Sequence, residues 1–152
     1  MVQATPFLLV LFLALASSDL STQLCSLTGT WKNDLGSNMT ILEISENGDF
    51  AGSYYTAVSD TSEEIKQSPL LGSQHQPNLL KQPTFGFTVH WTFSDSITVF
   101  TGQCFVDEDG KEVLKTMWLL RSHADKRRDD WNATLVGYNE FKRLEKHMEP
   151  GW

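Results

Sequence analysis

The amino-acid sequence predicts an all-β protein, an eight-stranded antiparallel up-and-down barrel. Three observations support this prediction. Apolar and polar residues alternate with a period of two, most clearly over 85–93, where apolar side chains occupy every second position. Asn–Gly and Asp–Gly pairs mark tight turns between runs of β-type residues. No long helical pattern interrupts these runs, and the short connections favour an up-and-down barrel over the alternative, a β-sandwich.

The strands follow one another in chain order between turn signals. Hairpins are predicted at Asn47–Gly48 and Asp109–Gly110, with a third tight turn at 94–96. The most polar stretch, 123–130, is expected to form the loop before the last strand. The eight predicted strands are Leu27–Asn33, Met39–Ser45, Asp49–Thr56, Ile65–Gln74, Phe85–Phe93, Ser96–Phe105, Lys111–Ser122 and Asn132–Leu144.

Length and charge limit the classes of protein that need to be considered. A chain of 152 residues fits one domain, and 40% hydrophobic residues with 20% charged residues are typical of a globular protein. The formal net charge of -7 argues against nucleic acid and against an anionic membrane surface as partners. Five tryptophans are many for this size and suggest a role beyond packing.

The N-terminus resembles a secretory signal peptide. An unbroken apolar run over 7–16 is too short to span a bilayer and ends in Ala14-Leu15-Ala16, a small-x-small cleavage pattern. We therefore predict a signal peptide over 1–21, cleaved between 16 and 21, a barrel domain over 22–146 and a tail over 147–152. The alternative is a buried N-terminal strand or helix. Secretion makes the protein extracellular.

Cys25 and Cys104 are the only cysteines. In an oxidising compartment they predict one intramolecular disulfide, whereas two buried thiols would be expected in a reducing one. Two sequons, at Asn38 and Asn132, predict N-glycosylation of a secreted chain.

The last two strands are apolar on both faces. Leu114, Trp118 and Leu120 share one face of the seventh strand, and Val113, Met117 and Leu119 share the other. In the eighth strand, Leu135, Asn139 and Phe141 oppose Val136 and Tyr138. An antiparallel barrel normally exposes one polar face, so this pattern predicts a buried outer wall and an oligomer. Scattered surface apolar residues are the alternative.

The sequence contains no motif of a known active site. Its histidines have no metal-ligand spacing, and no nucleophile elbow or phosphate-binding glycine loop is present. Strand parity instead places Asn33, Tyr54, Thr56, Thr98 and Asn139 on faces that should be apolar. These side chains are suited to hydrogen-bond the polar atoms of a ligand inside the barrel. The alternative is a network in the core whose polar groups hydrogen-bond only to one another.

Five long segments then resemble, in order, the avidin family of biotin-binding proteins. They are CSLTGTWKNDLGSNMTI from Cys25, QPTFGFTVHW from Gln82, TVFTGQC from Thr98, GKEVLKTMWLLRS from Gly110 and DWNATLVGYN from Asp130. The resemblance runs from Cys25 to about Leu144. Gly29–Trp31 alone would also fit a lipocalin, but the other segments would not.

The resemblance implies a secreted, non-catalytic, homotetrameric barrel that binds biotin as a ligand and needs no cofactor or metal. Asn33, Ser37 and Tyr54 would donate to the ureido oxygen of biotin, and Thr56 and Asn139 would accept from its N–H groups. Thr98 would meet the ring sulfur. The carboxylate would be held by Ser94, Ser96, Asp60 and Thr61. The ring and chain would be enclosed by Trp91, Phe93, Phe100, Trp118 and Leu120. Trp131 would cap a neighbouring subunit's site, and the subunit interface would include Met117, Val136 and Tyr138.

Three features depart from the family pattern. Asp60 replaces a small apolar residue beside the ligand carboxylate, where its charge could weaken binding. Tyr138 replaces an aliphatic interface residue, and the chain is acidic where egg-white avidin is basic. The alternatives are a lipocalin-like carrier of another apolar ligand and a secreted hydrolase. The missing base–nucleophile pair argues against the hydrolase.

Overall fold

The computed structural model describes residues 23–59, 61–75 and 79–144. The predicted signal peptide, Asp60, and the end of the chain with its predicted tail lie outside these residues. Within them, eight antiparallel strands form a closed barrel in chain order, as the alternation pattern predicts. The strands are β1 Gly29–Asn33, β2 Asn38–Ile41, β3 Asp49–Tyr55, β4 Ser68–Gln74, β5 Thr84–His90, β6 Ser96–Val106, β7 Glu112–Ser122 and β8 Thr134–Arg143.

The barrel closes between the first and last strands. Asn33 of β1 lies opposite Phe141 of β8, and Trp31 lies opposite Arg143. Every other strand pairs with its neighbours in sequence, so no sheet edge remains within the barrel. This arrangement confirms the up-and-down barrel and excludes the sandwich.

Several strands begin or end at residues other than those predicted, because turns or a short helix occupy the predicted strand ends. The predicted Asn47–Gly48 hairpin is a four-residue turn in which the Gly48 N–H donates to the Ser45 carbonyl at 2.9 Å. Gly48 adopts a φ of 91°, a conformation that favours glycine in this turn. β2 itself ends at Ile41 rather than at Ser45. β5 ends at His90 rather than at Phe93, because the chain turns towards β6 there. Residue 132 was predicted to begin the last strand, but it ends a short 3₁₀ helix, Arg127–Asn132.

The core fills the end of the barrel that is opposite the polar residues. Trp31 is fully buried, and its indole Nε1 donates to the Leu27 carbonyl at 2.8 Å. The Arg143 guanidinium lies 4.3 Å above the Trp31 ring and donates to the Glu112 carboxylate and the Thr28 carbonyl, both at 2.7 Å. These contacts fasten the N-terminal segment across the closed end of the barrel.

Cys25 and Cys104 form a disulfide with a Cα–Cα distance of 5.8 Å, as predicted. It joins the N-terminal segment to β6, and both cysteines are buried. The sequence separation of 79 residues corresponds to roughly 4–5 kcal/mol in the chain-entropy model.

Candidate functional site

A cavity of about 320 Å³ occupies the other end of the barrel. Inward positions of most strands and the loops at the mouth line it, and it is mainly apolar with a few polar groups. The lining residues are Asn33, Leu35, Ser37, Tyr54, Thr56, Val58, Ser59, Trp91, Phe93, Ser94, Ser96, Thr98, Phe100, Trp118, Leu120, Leu135 and Asn139.

One side of the cavity is built to donate hydrogen bonds. Asn33 Oδ1 accepts from the backbone N–H groups of Leu35 at 3.0 Å and of Ser37 at 2.9 Å. These two bonds fix the amide orientation, so Asn33 presents its Nδ2 donor, which contacts Tyr54 Oη at 3.2 Å. Ser37 Oγ accepts from the Ala57 N–H at 2.9 Å, which leaves the Ser37 hydroxyl proton free to donate.

The Tyr54 phenol keeps its proton. Burial is the main cause that raises the pKa of Tyr54 well above its ordinary value, and the negative charge of Asp34 raises it further, whereas a hydrogen bond to Ser37 lowers it. Three neighbouring side chains with donor protons therefore form a cluster on this side of the cavity, in which Asn33 and Ser37 both hydrogen-bond to Tyr54.

Two further polar side chains of the cavity, Thr56 and Asn139, are held as acceptors. The Thr56 hydroxyl donates to the Val58 carbonyl at 2.7 Å, so its oxygen remains to accept. Asn139 is 6% exposed, and its Nδ2 donates to Asp34 Oδ1 at 2.8 Å. The Asn139 carbonyl Oδ1 accepts from Trp118 Nε1 at 2.9 Å. Asn33 and Asn139 thus have the same side chain but are fixed in opposite orientations.

Aromatic side chains form the walls between these polar groups. The Tyr54 ring meets Trp91 edge-on at 5.4 Å and Phe100 at 5.6 Å. Trp91 Nε1 donates to Thr98 Oγ1 at 2.8 Å, which orients the indole. Such packing excludes water and restricts the rotamers of the walls.

Trp118 depends on a glycine in the neighbouring strand. Gly137 lies opposite Trp118 in the pairing of β7 with β8, and a Cβ added there would overlap the Trp118 ring. The missing side chain allows the indole to lie against β8, where its Nε1 reaches Asn139.

Most residues that the resemblance implicated come together in this cavity, whereas Thr61 and Trp131 do not line it. Asp60 lies outside the described residues. Thr61 is partly buried in the adjacent loop, where its Oγ1 accepts from the Glu63 N–H at 3.2 Å. Trp131 lies on the 3₁₀ helix and is 81% exposed.

Four lining residues were not predicted as site residues. Leu35, Val58 and Ser59 belong to loops at the mouth, where strand alternation gives no signal. Leu135 was predicted to face inward and does line the cavity, although it is 52% exposed at the rim. The hydroxyl groups of Ser94 and Ser96 contact each other at this mouth.

The outer wall of β6 to β8 is an apolar surface. Val99, Leu119 and Val136 lie opposite one another across the three strands, and Met117 lies opposite Tyr138. All five side chains are exposed in the single chain, up to 75% for Tyr138. Val113 lies on the same face of β7 as Met117 and Leu119, as predicted, but it is only 7% exposed in the single chain.

Three further features of the described residues concern metal binding, membrane helices and the sequons. Among the described residues, no group of three or more His, Cys, Asp or Glu side chains is arranged to hold a metal ion. No helix in the described ranges is long and apolar enough to cross a membrane. Both sequon asparagines, Asn38 and Asn132, are exposed.

A closed antiparallel barrel, with an aromatic cavity whose donors and acceptors are fixed in advance, defines a small-ligand-binding barrel. Residues 21–144 match the avidin family model. The chain belongs to the avidin family.

Individual relatives agree with this assignment. Chicken (Gallus gallus) avidin is 60% identical over 152 residues, covering 98% of this chain and all of that protein. The chicken avidin-related protein 4/5 is 61% identical over 137 residues, covering 90% of each chain. The crystal structure of xenavidin has a TM-score of 0.76 and 57% sequence identity. The X-ray structure of a biotin-binding protein from chicken has a TM-score of 0.77 and 54% sequence identity. Each covers 80% of this chain and 100% of its own. These matches do not favour the lipocalin-like alternative.

Proposed function

We propose that this protein is a secreted, non-catalytic, homotetrameric binder of biotin that sequesters or carries it. The observation that carries the proposal is the pair of opposed polar sets in the cavity. One set, Asn33, Ser37 and Tyr54, is fixed to donate, and Thr56 and Asn139 are fixed to accept. A cyclic urea needs this complement, because its carbonyl oxygen accepts and its two N–H groups donate.

The energetics favour tight binding. The ureido oxygen would take the place of water as the acceptor for the three donors, in a site where the low dielectric strengthens each hydrogen bond. Trp91, Phe100 and Trp118 would bury the apolar ring. The walls are already ordered by their own contacts, so little conformational entropy is lost on binding.

The ligand carboxylate would lie at the mouth of the cavity. Ser94 and Ser96 offer hydroxyl groups there. Asp60 and Thr61 directly follow Ser59 in the sequence, and Ser59 also lines the cavity. Thr98 would meet the ring sulfur, with Phe93 and Leu120 along the ligand chain. A charge at Asp60 that faces the carboxylate would weaken binding.

The outer wall would form the subunit interface. Met117, Val136 and Tyr138 are exposed apolar or aromatic side chains on adjacent strands, which is unusual for a monomer in water. Trp131 is far too exposed for a structural tryptophan, and it would close the cavity of a neighbouring subunit. Analytical ultracentrifugation should give four times the chain mass, and a monomer would contradict this assembly.

The Cys25–Cys104 disulfide supports secretion, because such bonds persist in oxidising compartments. The exposed sequons at Asn38 and Asn132 would then be available for N-glycosylation.

Calorimetry and thermal unfolding with biotin, a fatty acid and a retinoid test the proposal. At a biotin concentration about 1,000 times Kd, linkage adds about 4 kcal/mol to the free energy of unfolding. That stabilisation raises Tm by about 10 °C or more. We expect the increase with biotin only. An unchanged Tm with biotin, or an increase with the lipids instead, would overturn the assignment.

A further inference from the structure

Asp34 has no role in the family resemblance and does not line the cavity, yet its carboxylate contacts a cavity residue. Asp34 Oδ1 accepts from Asn139 Nδ2 at 2.8 Å. We propose that Asp34 is a positioning residue that holds the Asn139 amide as an acceptor and thereby sets the site's preference for a ligand with N–H groups. This inference rests on the proposed function.

Barrel closure fixes the place of Asp34. It follows β1 directly, and its backbone N–H donates to the Glu140 carbonyl at 3.2 Å. Its Oδ1 is also within 3.4 Å of the Glu140 backbone nitrogen. The carboxylate is thus attached to the backbone of β8 beside Asn139, and its position does not depend on a flexible loop.

The chemistry of the contact is one-directional. An ionised carboxylate can only accept, so it can pair with the NH₂ end of an amide but not with the carbonyl end. A rotated Asn139 would bring its oxygen against Asp34 and its NH₂ group against the Trp118 indole N–H. Two repulsive contacts would replace two hydrogen bonds. Asn139 therefore presents oxygen to the cavity.

The negative charge also strengthens the acceptor. A carboxylate that draws on the Nδ2 protons polarises the amide and increases the electron density on Asn139 Oδ1. Asp34 is itself exposed, so solvent screens part of this effect. We expect its removal to weaken binding by about tenfold, less than the loss of a group that touches the ligand.

Exchanging the side chains of Asp34 and Asn139 tests whether Asp34 positions the Asn139 amide or only stabilises the fold. Asp34→Ala and Asp34→Asn should both speed biotin dissociation, with the smaller effect in D34N, because the new amide keeps a neutral oxygen acceptor. Asn139→Asp alone should be worse, because two carboxylates then face each other. In the double variant D34N/N139D, the new amide donates to the new carboxylate, which again offers oxygen to the ligand. Dissociation should return to near the wild-type rate.

The matched control is Asp49→Asn. Like D34N, it removes one negative charge and leaves a neutral oxygen in a side-chain hydrogen bond, here the one accepted from Ser73 Oγ at 2.8 Å, but at the opposite end of β3 from Tyr54. Its biotin dissociation should equal that of the wild type.

The outcomes distinguish the two proposals. If wild-type protein fails to bind biotin in calorimetry, the proposed function is wrong. The positioning role of Asp34 is then tested by the NMR resonance of the Trp118 indole N–H in the free protein. That resonance should shift in D34A and not in D49N. If wild type binds biotin, a wild-type dissociation rate in D34A would overturn the inference. So would single-variant losses that simply add in D34N/N139D.

Discussion

Asn33→Asp exchanges a donor for an acceptor at nearly constant shape. The two backbone N–H groups of Leu35 and Ser37 that bind Asn33 Oδ1 would bind a carboxylate oxygen equally well, and they favour its ionised form. The local turn should therefore persist. What changes is the second atom, which no longer offers a proton to the cavity or to Tyr54.

The magnitude follows from two contributions. The lost hydrogen bond to the ligand is worth about 1–1.5 kcal/mol, and an oxygen that faces the ureido oxygen without a proton between them costs about 1–3 kcal/mol more. Together they predict a loss of about 2–4.5 kcal/mol in binding, which is about 30- to 2,000-fold in Kd.

Competition with fluorescent biotin measures the dissociation rate, and thermal unfolding without ligand checks the fold. We expect much faster dissociation in N33D with a nearly unchanged Tm of the free protein. In Asn33→Ala, the two backbone N–H groups lose their acceptor, so its free Tm should fall as well. Wild-type biotin dissociation in N33D would refute the assignment of Asn33 as a donor.

Three further expectations follow from other parts of the molecule. Trp131→Lys should speed biotin dissociation without lowering the Tm of the free protein, because Trp131 is 81% exposed in its own chain; unchanged dissociation would contradict a shared site. Since the pKa of Tyr54 is raised above its ordinary value of 10.0, the contribution of its phenol is present below that pH and is lost only above it. The loss of affinity in Tyr54→Phe should thus be the same at pH 8 as at pH 10, and a loss that disappears by pH 10 would show that the phenol had ionised. Arg143→Ala leaves the Glu112 carboxylate, which is 13% exposed, without its cation. This variant should lower the free energy of unfolding in urea titrations by about 2–3 kcal/mol. Arg121→Ala breaks an exposed ion pair and should lower the same free energy by at most about 0.5 kcal/mol. Equal losses in the two arginine variants would argue against the role of Arg143 at the closed end.

Strand alternation was enough to predict the barrel, because each face of each strand has a distinct environment. Trp31 and Phe141 were placed inside from parity alone, and both are fully buried. Strand ends were less predictable, because they depend on hydrogen bonds across the turns. Gly48 completes the turn between β2 and β3 with a positive φ. Residue 132 belongs to a short 3₁₀ helix, for which the sequence shows no periodic pattern of apolar residues.

The mouth of the cavity shows a second limit of sequence patterns. Leu35 and Val58 reach the cavity from loops, where neighbouring residues have no fixed relation to a face. Gly137 is also essential to the Trp118 wall, yet a glycine within a strand does not reveal from the sequence which side chain lies over it. Both features require the register between strands, which links residues far apart in the chain.

The two asparagines show why residue identity alone does not define a binding site. Sequence parity places both Asn33 and Asn139 inside the barrel, but an amide can offer either a donor or an acceptor to a ligand. At Asn33, two backbone N–H groups of the following turn occupy the oxygen, so the nitrogen is presented. At Asn139, Asp34 occupies the nitrogen, so the oxygen is presented. The difference between the two ends of a bound urea is therefore set by the partners that hold each amide and not by the asparagines themselves, and changing the Asp34 contact should alter which ligands bind before it alters the fold.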